Sequence, residues 1–275
     1  MKWIKLFIAV TSVFIHASGQ NLEQTFTLAQ NQFEKGEFYQ SEKTYKRVLF
    51  FDSSNIFRGR ATEKLAHISI VKNDLQEALN YFDQAYFSIS NQQIRTDIQF
   101  ERIQLFIETQ EFQKALAELY QVDIIEGNAE RIALYEGYCQ YLLKDFEAAR
   151  SAFLILAQDS LVANNINQKI KRALQIEKMN PKTYQILSYI VPGLGQILLG
   201  ETKNSINSIL LNTGLTLLFI ETARKLSLFD ATLSVIPWFY RYYAGGAKLT
   251  KDLAIEKKQR RHEENLSQLI ASVTD

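Results

Sequence analysis

The sequence predicts an all-α protein: an α-solenoid of about four helical hairpins, followed by a small hydrophobic helical module. Three observations carry this. A pattern that opens at Gly36-Glu37-Phe38 and continues through Ser41, Tyr45 and Val48 returns three more times before residue 160. Only three prolines and eleven glycines in 275 residues leave long stretches free to be helical. Beyond Pro181 the composition shifts to two stretches without a charged side chain.

Residues 1–19 read as a secretory signal. Lys2 and Lys5 precede the apolar run Leu6 to Ile15, and Ala17-Ser18-Gly19 offers small residues for cleavage before Gln20. Ten apolar residues fall short of the roughly 20 that cross a bilayer. An uncleaved anchor is the alternative. No cysteine lies near the cleavage point, so lipoprotein processing is not expected, and cleavage would move the formal charge from +1 to −1 by removing two lysines.

Residues 20–160 carry the repeats. The turns at Gly36, Asn73, Gln110 and Lys144 are spaced 37, 37 and 34 residues apart, a period of solenoids rather than of one globular core. After each turn come an apolar residue, a small one (Ser41, Ala78, Ala115, Ala149), a bulky one (Tyr45, Phe82, Leu119, Phe153) and another apolar one (Val48, Ala85, Val122, Leu156). Spacings of three and four keep these on one helix face, and the small residue lets a neighbouring helix approach closely. Each unit therefore reads as helix A, a tight turn, helix B. Glu37, Asp74, Glu111 and Asp145 follow the turns, where carboxylates cap or begin helices.

This unit resembles the tetratricopeptide repeat (TPR), whose period is about 34 residues. The family's small residue in helix A appears as Ala29, Ala66 and Gly137, with Ile103 in the third unit; its helix A aromatic and its closing proline are largely missing. Stacking places the first helix of each unit on a concave face. The candidate partner-binding residues there are Phe26, Gln30 and Phe33, then Glu63, His67 and Ile70, then Phe100, Gln104 and Ile107, then Leu134, Tyr138 and Tyr141. That surface is expected to be mixed apolar and amide with little charge, suited to an extended or helical apolar segment of a protein partner. The alternative for each apolar residue is packing against the next unit. Repeats of this family that clamp a chaperone's terminal carboxylate use Lys and Asn; Phe26, Glu63, Phe100 and Leu134 stand here instead, so the resemblance does not imply a clamp.

Residues 161–182 hold Ile166, Ile170, Ala173, Leu174 and Ile176 among polar residues, as an amphipathic helix covering the open end of a solenoid would. Pro181 marks a boundary. In the hydrophobic module, residues 183–243, Thr183 to Gly200 and Asn204 to Ile220 carry no charge, and Leu226 to Tyr243 is interrupted by Asp230 and Pro237 and ends in Trp238, Phe239, Tyr240, Tyr242 and Tyr243 beside Arg241. Aromatics bunched at one end of an apolar run suit a membrane interface, and equally the core of a small helical domain. Pro192-Gly193-Leu194-Gly195-Gln196 with Gly200 resembles the PGxGQxYxG signature of small hydrophobic modules at the C-termini of bacterial envelope proteins, with Leu198 in the tyrosine's place. The resemblance implies helical hairpins in a membrane. A nucleotide loop is disfavoured, since these glycines do not make GxGxxG and no Gly-Lys-Ser/Thr follows.

The charged tail, residues 244–275, contains Lys257, Lys258, Arg260 and Arg261, read either as a solvated helical face or as a basic segment drawn to anionic headgroups. Exported repeats with a cytoplasmic basic tail require an odd number of crossings, but Lys169, Lys171, Arg172, Lys178 and Lys182 before the first apolar stretch oppose that. A hairpin that dips in and returns is the alternative.

Nothing in the sequence nominates an enzyme. There is no HExxH, no cysteine pair and no GxSxG, and the three histidines are His16, His67 and His262. No metal or cofactor is expected. Cys139, the single cysteine, excludes an intramolecular disulfide and reads as a small buried hydrophobe. With 31 basic against 30 acidic residues, no global field favours nucleic acid. The expectation is a non-catalytic exported adaptor of the bacterial cell envelope, binding a protein partner through its repeats and anchored by its C-terminal hydrophobic module. The alternative is a membrane-biogenesis or transport component in which the module acts and the repeats recruit substrate.

Overall fold

The computed structural model describes residues 21–124 and 127–274, and every regular element among them is an α-helix, thirteen in all. The signal read in residues 1–19 lies outside the described residues. Four hairpins come first: α1 (Leu22–Glu34) with α2 (Phe38–Phe51), α3 (Arg58–Val71) with α4 (Leu75–Ser88), α5 (Gln92–Glu108) with α6 (Phe112–Leu119), and α7 (Ala129–Leu142) with α8 (Phe146–Ile155). Then follow α9 (Ser160–Glu177), α10 (Pro181–Ile190), the short α11 (Leu194–Leu198), α12 (Thr202–Lys225) and α13 (Leu228–Thr274).

The four hairpins share one joint. Gly36, Asn73, Gln110 and Lys144 all adopt positive φ, at 76°, 60°, 61° and 68°. The next amide reaches back five residues each time: Glu37 to the Gln32 carbonyl, Asp74 to Ser69, Glu111 to Phe106 and Asp145 to Gln140. A left-handed residue with this bond satisfies the orphan carbonyls at a helix end and reverses the chain. Asp74 and Asp145 then cap the next helix by accepting from the amides of Glu77 and Ala148. Glu37 and Glu111 occupy the same position without a side-chain cap.

The predicted small residues Ser41, Ala78, Ala115 and Ala149 are all fully buried, and Ser41 satisfies its hydroxyl on the Ala29 carbonyl at 2.9 Å. In the fourth hairpin a Cβ on Gly137 would fall 2.8 Å from the Phe153 ring, so the bulky residue of helix B requires glycine in helix A. The third hairpin makes the opposite trade, with larger Ile103 in helix A and Leu119 where the others carry an aromatic.

The chain divides into two compact units, one ending at Ile132 and one beginning at Ala133. In the first, Phe26, Ala29, Tyr45, Val48, Ala61, Leu65 and Ile68 form one core, and Ala66, Ala78, Phe82, Ala85, Ile98 and Leu105 another. In the second, the fourth hairpin joins the C-terminal elements. Tyr141, Phe146, Phe153, Ile166 and Ile170 pack with Leu266 and Leu269 of α13. α9 therefore covers the hairpin as the amphipathic pattern predicts, but it shares that task with the end of the chain. The boundary drawn at residues 243 and 244 falls inside one continuous helix, and Pro237 lies within that helix without ending it. Pro181, by contrast, does begin an element: it occupies the first turn of α10, capped by Asn180 accepting from the Lys182 amide.

Candidate functional site

The residues proposed for a concave face divide into three groups. Phe26, Phe100 and Tyr141 are core, at 7%, 1% and 1% exposure. Phe26 packs edge-on against Tyr45, with ring centroids 5.7 Å apart. Tyr141 donates no surface at all: its hydroxyl receives the Asn265 amide at 3.0 Å and lies 3.3 Å from His262 Nδ1. These three cannot meet a partner, because their rings fill the joints that hold the hairpins together. Gln30 and Gln104 are exposed, while Phe33, Glu63, His67, Ile70, Ile107, Leu134 and Tyr138 are half-buried. Leu134 and Tyr138 belong to the second unit, packed against its core.

In the first unit the surviving positions on α1, α3 and α5 are more charged than the sequence predicts. His67 Nε2 lies 4.0 Å from Glu63 and 3.4 Å from Glu101, and Lys64 Nζ lies 2.9 Å from Glu63. The His67 ring meets Phe82 edge-on at 5.7 Å and Phe33 at 6.4 Å. Burial, with Lys64 beside it, holds the imidazole below its ordinary pKa. Burial and the neighbouring Glu63 raise the Glu101 carboxyl to about 7. Glu101 directly follows Phe100 and so lies about 100° round α5 from it, outside the stripe of Phe100, Gln104 and Ile107; only the approach of α3 to α5 gives it a histidine neighbour.

The PGxGQ stretch is the hub of the module. Gly193, at φ 88°, turns the chain between α10 and α11. The Gly195 amide donates to Ser188 Oγ on α10 at 3.1 Å, and Ser188 meets Thr250 of α13 at 2.9 Å. Gln196, 1% exposed, donates to the Gly246 carbonyl of α13 at 3.3 Å, and Ser205 of α12 donates to the Gly193 carbonyl at 3.1 Å. A Cβ on Gly195 would collide with the Tyr184 carbonyl and come within 2.6 Å of Ser188 Oγ. Pro192 is half-buried. Gly200, at φ 75°, repeats the hairpin joint, with the Glu201 amide on the Gln196 carbonyl. The five residues named by the motif thus tie α10, α11, α12 and α13 together.

Polarity in this module is inverted. The only buried residues of α12 are Ser205, Ser208 and Asn212, three and four apart. Outward it shows Ile206, Leu210, Leu217 and Leu218, each half exposed or more. The apolar half of α13 also shows large apolar side chains outward, Leu228, Phe229, Leu233 and Trp238, while Ala231, Val235 and Ala247 are buried. Gly246 lets the two helices touch, since a Cβ there would lie 2.8 Å from Ser208 Oγ. α12, at 24 residues, is long and apolar enough to cross a membrane, and little of its apolar stretch is buried. Its length is about 36 Å at 1.5 Å per residue, against a hydrocarbon core of about 30 Å.

Two of the four clustered basic residues near the C-terminus are engaged internally. Lys257 donates to the Leu199 carbonyl at the end of α11, and Lys258 to the Glu177 carbonyl and carboxylate at the end of α9, both at 2.8 Å. His262 stacks on Phe146 and sets Nε2 3.1 Å from Glu177. Among the described residues no three His, Cys, Asp or Glu side chains converge as metal ligands. No protein-family model, curated protein or solved structure matches the chain.

Proposed function

We propose that this chain is a non-catalytic, TPR-like adaptor of a bacterial cell envelope, held at a bilayer by the antiparallel pair of α12 and the apolar half of α13, with its helical hairpins free to bind a protein partner. The observation that carries the membrane part is the inverted polarity of α12. In water a helix turns its apolar stripe inward, because burying it is the main driving force of folding. In lipid that force between helices vanishes, and small or hydrogen-bonding residues make the contact instead. Ser205, Ser208, Asn212 and Gly246 are such a contact.

The pair returns to the side it enters. Ile170 before it and Leu266 after it share one core, which supports an even number of crossings rather than the odd number the charge argument required. The adaptor part rests on the recurring hairpin and on the surface of α1, α3 and α5, where Gln30, Phe33, Glu63, His67 and Gln104 remain reachable. A mixed charged and aromatic surface of this kind suits a polar peptide with an aromatic anchor better than a purely apolar segment.

The test exploits exposure. Leu210, Leu217 and Leu218 make few internal contacts, so L210K/L217K/L218K leaves a water-soluble fold intact but places three charges in the hydrocarbon. The wild-type chain is expected to resist alkaline carbonate extraction from membranes and the variant to be extracted. A wild-type chain released by carbonate overturns the anchor.

A further inference from the structure

α9 ends and α10 begins around Asn180, and the C-terminal half of α13 runs beside them. An open groove of about 460 Å³ lies there, lined by Arg172, Gln175, Lys178, Met179, Tyr184 and Arg261. Arg172 comes from α9, Lys178 from the joint between α9 and α10 and Arg261 from α13, and all three are exposed. Among the described residues no carboxylate forms an ion pair with any of them; Arg261 approaches Met179 Sδ at 4.0 Å. Glu177, the acid at the end of α9, is already engaged by Lys144 at 3.4 Å, Lys258 at 2.8 Å and His262 at 3.1 Å. The groove therefore holds an unneutralised charge of three.

We propose that this groove binds a phosphate group. Two guanidinium forks match phosphate oxygens in pairs, an ammonium adds a third cation, and charge-assisted bonds of this kind are the strong ones. The first turn of α10, where Pro181 and Lys182 begin the helix, adds the positive end of a helix dipole beside Tyr184. Position selects the carrier. From Tyr184 onward α10 exposes Ile186, Tyr189 and Ile190, so the cations sit at the polar edge of the module's apolar surface, where the headgroup of an anionic phospholipid would lie. The lipid as carrier rests on the membrane reading above; the phosphate chemistry does not.

The experiment uses the full chain in nonionic detergent and follows its thermal midpoint as phosphatidylglycerol, phosphatidylcholine or inorganic phosphate is added at fixed ionic strength. Phosphatidylglycerol and phosphate are expected to raise the midpoint saturably, while phosphatidylcholine, whose phosphate is masked by choline, leaves it unchanged. R172Q/R261Q should weaken the apparent affinity by about tenfold or more. Both side chains are exposed, so the variant keeps its ligand-free midpoint, and K35Q/R47Q, equal in charge, should respond as the wild type does. A shift with phosphate but none with phosphatidylglycerol supports the site and assigns it a soluble phosphate. Absence of any shift, or a shift that survives R172Q/R261Q, overturns the proposal. A carbonate-extractable chain that still responds to phosphate overturns the membrane anchor and leaves the groove standing.

Discussion

At the scale of residues, the left-handed turn positions are where sequence and conformation strain against each other. Gly36 adopts positive φ at no steric cost, whereas Gln110 does so at 61° with a full side chain. Gln110→Gly is therefore expected to stabilise the chain by roughly 1 kcal/mol, read as a raised thermal midpoint. Gly36→Gln should lose a similar amount. Glu101 gives a pH-dependent counterpart. Its native pKa, about 7, lies above the ordinary 4.5, so the folded state favours the protonated acid and loses stability as the pH rises from about 4.5 to 7. Glu101→Gln removes that loss. Discounted for partial exposure, it should add about 1 kcal/mol at pH 8 and almost nothing at pH 5. An equal effect at both pH values would show that the carboxyl is not held protonated.

At the scale of elements, one joint is used five times among the described residues. The helix ends at Gly36, Asn73, Gln110, Lys144 and Gly200 share a left-handed residue and a bond from the following acid's amide to the carbonyl five residues back. The fifth lies in the hydrophobic module, outside the repeats. What differs is the packing on either side. In the repeats a small residue lets a bulky apolar one of the partner helix approach, as Phe153 does at Gly137. In the module the close approaches at Gly195 and Gly246 bring hydroxyls and carbonyls together. Gly195→Ala sets a methyl against the Tyr184 carbonyl and Ser188 Oγ, in backbone that cannot swing away. Overpacking of this kind costs typically 1–3 kcal/mol, so the module should become protease-sensitive after Lys182 while the first three hairpins stay protected. Full protection at that point would show that the hub is not under such constraint.

At the scale of the whole molecule, the end of the chain decides the topology of any membrane hairpin. Leu266 and Leu269 sit in the core of the fourth hairpin and α9, so Lys171 and Gln268 belong to one compact body. K171C and Q268C, each introduced alone in vesicles, should be labelled together or protected together by a membrane-impermeant maleimide. Opposite accessibility would overturn the returning hairpin. The native Cys139 gives little background, because it is fully buried and burial pushes its thiol up to about 12.

The sequence by itself determined the helices and the joints between them. Periodic apolar residues, small residues at fixed offsets and turn residues act within about a turn of helix, so their consequences are local and the positions 36, 73, 110 and 144 were legible. So was Pro192 to Gly200 as one unit of structure. Which side chains stay reachable was decided only by tertiary packing. Phe26, Phe100 and Tyr141 have the spacing of a binding face, yet their rings fill joints with neighbouring helices. Spacing along one helix does not say which neighbour covers it. The end of the chain shows the same limit: Lys257 and Lys258 read as part of a solvated face or of a basic segment drawn to headgroups, but the 47-residue helix that carries them and His262 brings them against the ends of α9 and α11. Contacts across 81 and 85 residues leave no periodic trace, so the capping role of that helix, and the three cations left unpaired beside it, belong to the fold alone.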